Sequence, residues 1–191
     1  LLLLLGNPGS GYLKQDWRQP WRRGISLSSA ILGLLTAISY LALANTGQIT
    51  VYQLSEWSAP FGIVLVLDRL SAFMLLLTYV LAVPIIWYAS DHWDTRGRYF
   101  HTMFHFLLMG LTGAFLTGDL FNLFVFFEIL LMASYVLLLH GQGRPRFQLG
   151  IHDVTINVVA SVLFRIGLGM IDGSVGSLNM TDVARLGPTL D

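Results

Sequence analysis

From Phe100 to His140 the chain is one apolar run, broken only around Gly118, Asp119 and Asn122. As a continuous helix rising about 1.5 Å per residue it would be about 60 Å long, twice the roughly 30 Å hydrocarbon core of a bilayer. Such a rod must double back, and Gly118-Asp119 is the natural turn. Composition names the solvent. Hydrophobic residues make up 54% of the 191 and charged residues only 12%, where a soluble domain carries about 25% charge. So little charge cannot cover a soluble globule of this length, and lipid is the expected surroundings.

Five stretches have the length and apolarity of a spanning helix: Leu27–Asn45, Leu70–Ser90, Phe100–Thr117, Leu120–His140 and Ile151–Ile171. Leu1–Leu5 reads as the tail of a further span whose beginning is missing. A signal peptide would put its positive charge first, whereas Lys14, Arg18, Arg22 and Arg23 come after these leucines. The expected fold is therefore all-α: a polytopic transmembrane helix bundle forming one domain over residues 1–191, an N-terminal fragment with about five complete spans.

Charge orients it. Eight of the eleven basic residues, Lys14, Arg18, Arg22, Arg23, Arg96, Arg98, Arg144 and Arg146, fall on alternate connecting segments. The positive-inside rule places those segments in the cytoplasm and residues 46–68 outside. Within 46–68, Gln48–Leu54 alternates with β-branched residues and Ile63–Leu67 is a short apolar run. Ala59-Pro60-Phe61-Gly62 supplies a turn between them, so a short extracytoplasmic β-hairpin is expected, with Trp57 as an interfacial anchor. Equal numbers of acidic and basic residues argue against nucleic acid as a partner. The absence of Cys excludes a disulfide framework and thiolate metal sites. No Gly-rich phosphate loop, haem-ligand pair or Ser-His-Asp arrangement stands out, so neither a cofactor nor a metal is expected.

Glu128 is the residue that needs explaining. It lies near the middle of Leu120–His140, flanked by Phe126, Phe127, Ile129 and Leu130. A charged side chain there costs about 2.5–3.5 kcal/mol on insertion scales unless it is neutralised, paired or hydrated. Desolvation favours its protonated form, so taking up and releasing a proton is its natural chemistry. The bland alternative is a structural carboxyl hydrogen-bonded to another helix.

Four further polar residues carry weaker signals. His101 and His105 are four apart, on one face at the cytoplasmic end of their helix. They read as a candidate proton path or as interfacial packing, and they lack a nearby third ligand for a zinc site. Asp153 shares a face with Asn157 near the start of the last span. Arg165 lies deeper, a path residue or one snorkelling toward Asp172 seven residues on. Gly110, Ala114 and Gly118 form a small-xxx-small series that predicts close helix packing.

The stretch Gly118-Asp119-Leu120-Phe121-Asn122-Leu123-Phe124-Val125-Phe126-Phe127-Glu128 resembles the D-type subunit of the multisubunit Mrp-type Na+/H+ antiporters. That family is similar to the proton-pumping antiporter-like subunits of respiratory complex I. The resemblance extends to Ala133-Ser134-Tyr135, Asp68-Arg69-Leu70-Ser71-Ala72 and Ser177-Leu178-Asn179-Met180-Thr181-Asp182, covering nearly everything from Gly24 to Ala184. It implies a cell-membrane transporter subunit rather than an enzyme, moving H+ against Na+ among partner subunits of a hetero-oligomeric complex. It also implies that Glu128 is the functional carboxylate, which in the family pairs with a Lys on a later helix. Here the sole Lys is Lys14, in a connecting segment. The alternatives are a proton-pumping subunit of a respiratory NADH dehydrogenase or hydrogenase complex, and a structural remnant without transport.

Overall fold

The computed structural model describes residues 19–53, 63–94, 99–140 and 144–186. Leu1–Leu5, Lys14, Arg18, Trp57, the Ala59–Gly62 turn, Arg96 and Arg98 lie outside the described residues. Among those described, six helices and one hairpin follow in the order α1 (Gln19–Ala44), β1 (Thr50–Gln53), β2 (Val64–Leu67), α2 (Arg69–His92), α3 (Phe100–Leu116), α4 (Leu120–Leu138), α5 (Arg144–Val175) and α6 (Met180–Leu186). Helices α1, α2, α4 and α5 are long and apolar enough to cross a membrane. With 17 residues, α3 is about 26 Å long, at the short end of what spans. Large apolar side chains stand exposed on the outside, among them Trp87, Leu163 and Met170. In water such a surface would aggregate; in lipid it is solvated. This is a multi-pass membrane protein.

Helix starts are set by side chains that cap the free backbone N–H groups. Asp68 closes a capping box on α2: its Oδ1 accepts from Ser71 N at 2.7 Å, and Ser71 Oγ accepts from Asp68 N at 3.1 Å. Asp119 caps α4 through Oδ1, which accepts from Phe121 N at 2.9 Å and Asn122 N at 3.0 Å. The expected turn at Gly118-Asp119 is thus made, with only three residues between α3 and α4.

The helices approach closely where side chains are small. On α1, Ala30, Ala37 and Ala44 are buried at every seventh position, and on α2 Ala72, Ala82 and Ala89 are buried. Around this seam a core forms from Ala30, Ala82, Ile86, Phe100, Phe104 and Leu108. Between α3 and α4, a Cβ on Gly110 would come within 2.8 Å of Leu130 Cβ, and one on Gly113 within 2.2 Å of the Phe126 ring. The small-residue series therefore works through Gly110 and Gly113. Ala114 is only half-buried, and Gly118 lies beyond the helix, against β2.

The hairpin forms, pairing β1 and β2 antiparallel with Thr50 opposite Leu67 and Gln53 opposite Val64. It sits over the α3–α4 turn, where Gly118 N donates to Val64 O at 2.8 Å. Beyond the expected end of the last span, α5 continues to Val175 and stops at Gly176, whose φ of 73° favours glycine. The short helix α6 was not expected from the sequence. Asn179 starts it, accepting from Thr181 N at 2.9 Å, and Met180 N donates to Gly118 O at 3.0 Å, which ties this segment to the same turn.

Candidate functional site: a carboxylate cleft between α3, α4 and α5

A little over two turns into α4, Glu128 is half-buried and faces α5, where the Ser161 hydroxyl donates to its Oε1 in a short hydrogen bond. The carboxyl lines a cleft of about 650 Å³ between α3, α4 and α5. The walls are apolar: Met103 and Phe106 from α3, Ile129 and Met132 from α4, Val154 and Val158 from α5. Tyr135, Asn157, Ser161 and Arg165 join Glu128 as the polar lining.

The polar groups follow from helix periodicity. Asn157, Ser161 and Arg165 recur every four residues and so lie on one face of α5. The pairing of Glu128 with Ser161 and of Phe124 with Arg165 shows that α4 and α5 run antiparallel here. One turn from the carboxyl, the Arg165 guanidinium lies over the Phe124 ring, 5.2 Å from its centroid. Phe124 stacks in turn on Phe164, with centroids 5.9 Å apart and planes 17° from parallel. Of the two sequence readings of Arg165, a path residue or one snorkelling toward Asp172, the second is not what the side chain does here, since it packs against α4. The Phe124 ring on the neighbouring helix offers the cation an aromatic face. In the other direction, Asn157 and Tyr135 line the cleft together. Asn157 Nδ2 donates to the Asp153 backbone carbonyl at 3.0 Å, while Asp153 itself is exposed.

The structure does not bring His101 and His105 to this cleft. Met103 and Phe106 line it, and helix geometry places the two histidines on the opposite face of α3, toward α1. There the Asp94 carboxylate, fully buried, accepts from Arg23 Nε and Nη2, both at 2.7 Å. His101 Nε2 lies 3.2 Å from Asp94 Oδ2. Burial opposes ionisation of Asp94, but the hydrogen bonds from Arg23 and His101 outweigh it and hold its carboxyl below the usual range. His105 Nδ1 donates to the His101 carbonyl at 2.8 Å, and its Nε2 makes a short contact with the Ser29 hydroxyl, which also donates to the Ser26 carbonyl. His101 Nδ1 and Ser26 Oγ are buried without a hydrogen-bond partner. Among the described residues, no group of three or more His, Cys, Asp or Glu could hold a metal ion.

Two partnerships escaped sequence reasoning: Ser161 with Glu128, and Asp94 as the hub between Arg23 and His101. The first had a signal, a polar residue every fourth position along an apolar helix. The second had none, because Arg23 and Asp94 are 71 residues apart.

The fold and site together define the class only as a multi-pass helical membrane protein with a half-buried carboxyl at mid-helix facing a polar stripe on an antiparallel neighbour. Comparison with known proteins narrows it. The chain is 52% identical over 164 residues to the probable K+/H+ antiporter D-type subunit of Rhizobium meliloti, matching 84% of this chain and 30% of that one. It is 43% identical over 158 residues to the corresponding Na+/H+ antiporter subunit of Alkalihalophilus pseudofirmus, covering 81% and 32% of the two chains. The Na+/H+ antiporter D-type subunit of Bacillus subtilis is 35% identical over 164 residues, 85% and 33% of the two chains. Over this stretch the protein is a homologue of the antiporter D-type subunits, and it spans about a third of the length of these curated relatives.

Solved structures agree. A chain of the Mrp complex from Dietzia sp. matches with a TM-score of 0.81 at 28% identity, over 85% of this chain and 31% of that one. An archaeal respiratory complex, the membrane-bound sulfane sulfur reductase, matches at 0.83 and 25% identity, over 88% and 35%. No family model matches.

Proposed function

We propose that this chain is the part of a monovalent cation/proton antiporter subunit that carries the proton-bearing carboxylate. Glu128 takes up and releases a proton in the cleft, and its change of charge is coupled to cation movement in an assembled membrane complex. The observation that carries the reading is the Glu128 carboxyl facing a polar stripe of α5 at mid-helix, with Ser161 as its donor. A carboxyl needed only for packing would be better replaced by an apolar side chain in such a cleft. Neighbouring subunits are proposed from the company of the relatives, since a structural neighbour is part of a multisubunit complex. The cation is proposed as Na+, by the names of the Alkalihalophilus and Bacillus relatives; the Rhizobium relative's name makes K+ the alternative.

The test is cation-dependent proton flux in vesicles holding the complete complex, with Na+ and K+ compared, for wild type and Glu128→Gln at matched expression. Glutamine keeps the shape and hydrogen bonding but cannot lose a proton, so flux should fall by roughly tenfold or more with assembly intact. Unchanged flux would make Glu128 a structural carboxyl.

Likeness to the sulfane sulfur reductase supports a second reading, a subunit of a redox-driven proton pump. Deleting the gene separates the two. Salt or alkali sensitivity follows from the first reading, and loss of respiration-linked pumping from the second.

A further inference from the structure

We propose that His105, with Ser29 and His101, is a proton-loading site on the α1 side of α3, fed through water and separate from the Glu128 cleft. The inference rests on the reading that this chain moves protons, and it adds a place where they enter. The hydrogen bonds at His105 carry it. Nδ1 donates to the His101 carbonyl at 2.8 Å, so that nitrogen keeps its proton. Nε2 is in short contact with the Ser29 hydroxyl, which lies 3.1 Å from the Ser26 carbonyl. With a neutral ring, the single Ser29 proton faces two acceptors, Nε2 and the carbonyl, and can serve only one. With an imidazolium, Nε2 donates to Ser29, Ser29 donates to Ser26, and every group is satisfied. Taking up one proton at Nε2 therefore turns one hydroxyl and displaces nothing else. Imidazole can give and take a proton at either nitrogen, which suits it to such a shuttle.

A supply route lies beside it. His101 and His105 are one turn apart on α3, at the end that the positive-inside rule places toward the cytoplasm. Both line a hollow of about 330 Å³, together with Ser26, Ser29 and Thr102. His101 Nε2, 3.2 Å from Asp94 Oδ2, donates to that carboxylate, which leaves Nδ1 as an acceptor. That atom and Ser26 Oγ are buried with no partner among the described residues. Water commonly satisfies buried polar atoms of this kind. A proton taken up at Nδ1 makes an imidazolium beside Asp94, and water in the hollow passes it to Nε2 of His105. Ahead of His105, a second hollow of about 420 Å³ shares Ser29 and His105 with the first and extends to Tyr79 and Thr112. The hydroxyls of those two residues lie 3.3 Å apart. Among the described residues, the charged and titratable groups around His105 are His101, Arg22 and Tyr79, with Arg23 held by Asp94, while α4 presents Phe126. Only N–H and water O–H bonds form and break, and one proton enters for each that leaves.

Chemical rescue in vesicles holding the complete complex tests this. His105→Ala removes the loading group and enlarges the hollow, so proton flux should fall by roughly tenfold. Imidazole added on the cytoplasmic side should bring it back toward the wild-type value measured with the same imidazole. A side chain needed only for packing gives no such return. His105→Gln keeps a group that can bond Ser29 but cannot shuttle a proton, and should lose flux to the same extent with assembly intact. Wild-type flux in either assembled variant overturns the proposal, and so does a loss in His105→Ala that imidazole leaves unrestored. If His105→Ala fails to assemble, His105→Gln decides alone. Glu128→Gln, run alongside, separates the two readings. Flux that survives that change removes the role of Glu128, and the His105 variants are still judged by their own flux. Flux lost there but kept in the His105 variants means that only the loading site is wrong.

Discussion

Two carboxylates of this bundle, Glu128 and Asp94, are set apart by their surroundings. Glu128 has one neutral donor, Ser161, in a largely apolar cleft, and its proposed role rests on that setting. Asp94 has a bidentate guanidinium and a histidine, an arrangement that keeps it charged. Asp94→Asn should therefore act on stability. It leaves Arg23 and His101 without their anionic acceptor and should cost about 2 kcal/mol, read as a lower unfolding temperature of the purified complex in detergent. An unchanged temperature would mean that the Arg23 link is made and broken without consequence. Glu128 was legible from sequence because a charge in an apolar run is conspicuous. Asp94 was not, because it sits in a charged connecting segment where one more acid carries no signal.

At the scale of elements, helix termini and helix contacts follow different rules. Asp68 and Asp119 announce their helices locally, through the residues that follow them. The α3–α4 contact instead depends on what faces each glycine. Gly113→Leu would drive a side chain into the Phe126 ring, since even a Cβ would lie 2.2 Å from it. Overpacking of this kind costs about 1–3 kcal/mol, and because Phe126 neighbours the Glu128 turn, both thermal stability and flux should fall. A variant with wild-type stability would show that α3 and α4 are free to separate. From sequence, the same helix offered Gly110, Ala114 and Gly118 as an equally regular series. Choosing Gly113 over Ala114 requires knowing which face of α3 meets α4.

On the scale of the whole molecule, the α3–α4 turn joins separate parts of the chain. Gly118 N donates to the hairpin at Val64 O, its carbonyl accepts from Met180 N, and Leu120 N donates to Leu178 O. Near this turn Asp68 caps α2, and on the opposite side of the bundle Asp94 holds α1 to the start of α3. Hydrogen bonds from Ser71 hold the Asp68 carboxyl below the usual range, as Arg23 and His101 hold that of Asp94. A folded-state value below the unfolded one contributes stability that is present above the ordinary carboxylate range and lost as pH falls through the folded values. Unfolding of the purified complex across an acid pH series should show stability declining over that window. Asp68→Asn with Asp94→Asn should flatten the decline, and a slope unaltered by both would assign it to other groups.

Sequence by itself determined the membrane character, the fold-back at Gly118-Asp119, the hairpin strands and the conspicuous acid at Glu128. Each rests on one-dimensional quantities: apolar length against bilayer thickness, residue period, and the cost of charge in lipid. Only the tertiary structure decided that Ser161 meets Glu128, that Arg165 rests on Phe124, and that His101 and His105 serve Asp94 and Ser29 on the far side of α3. Those outcomes depend on the rotation of each helix about its axis, which packing against neighbours sets and no local pattern encodes.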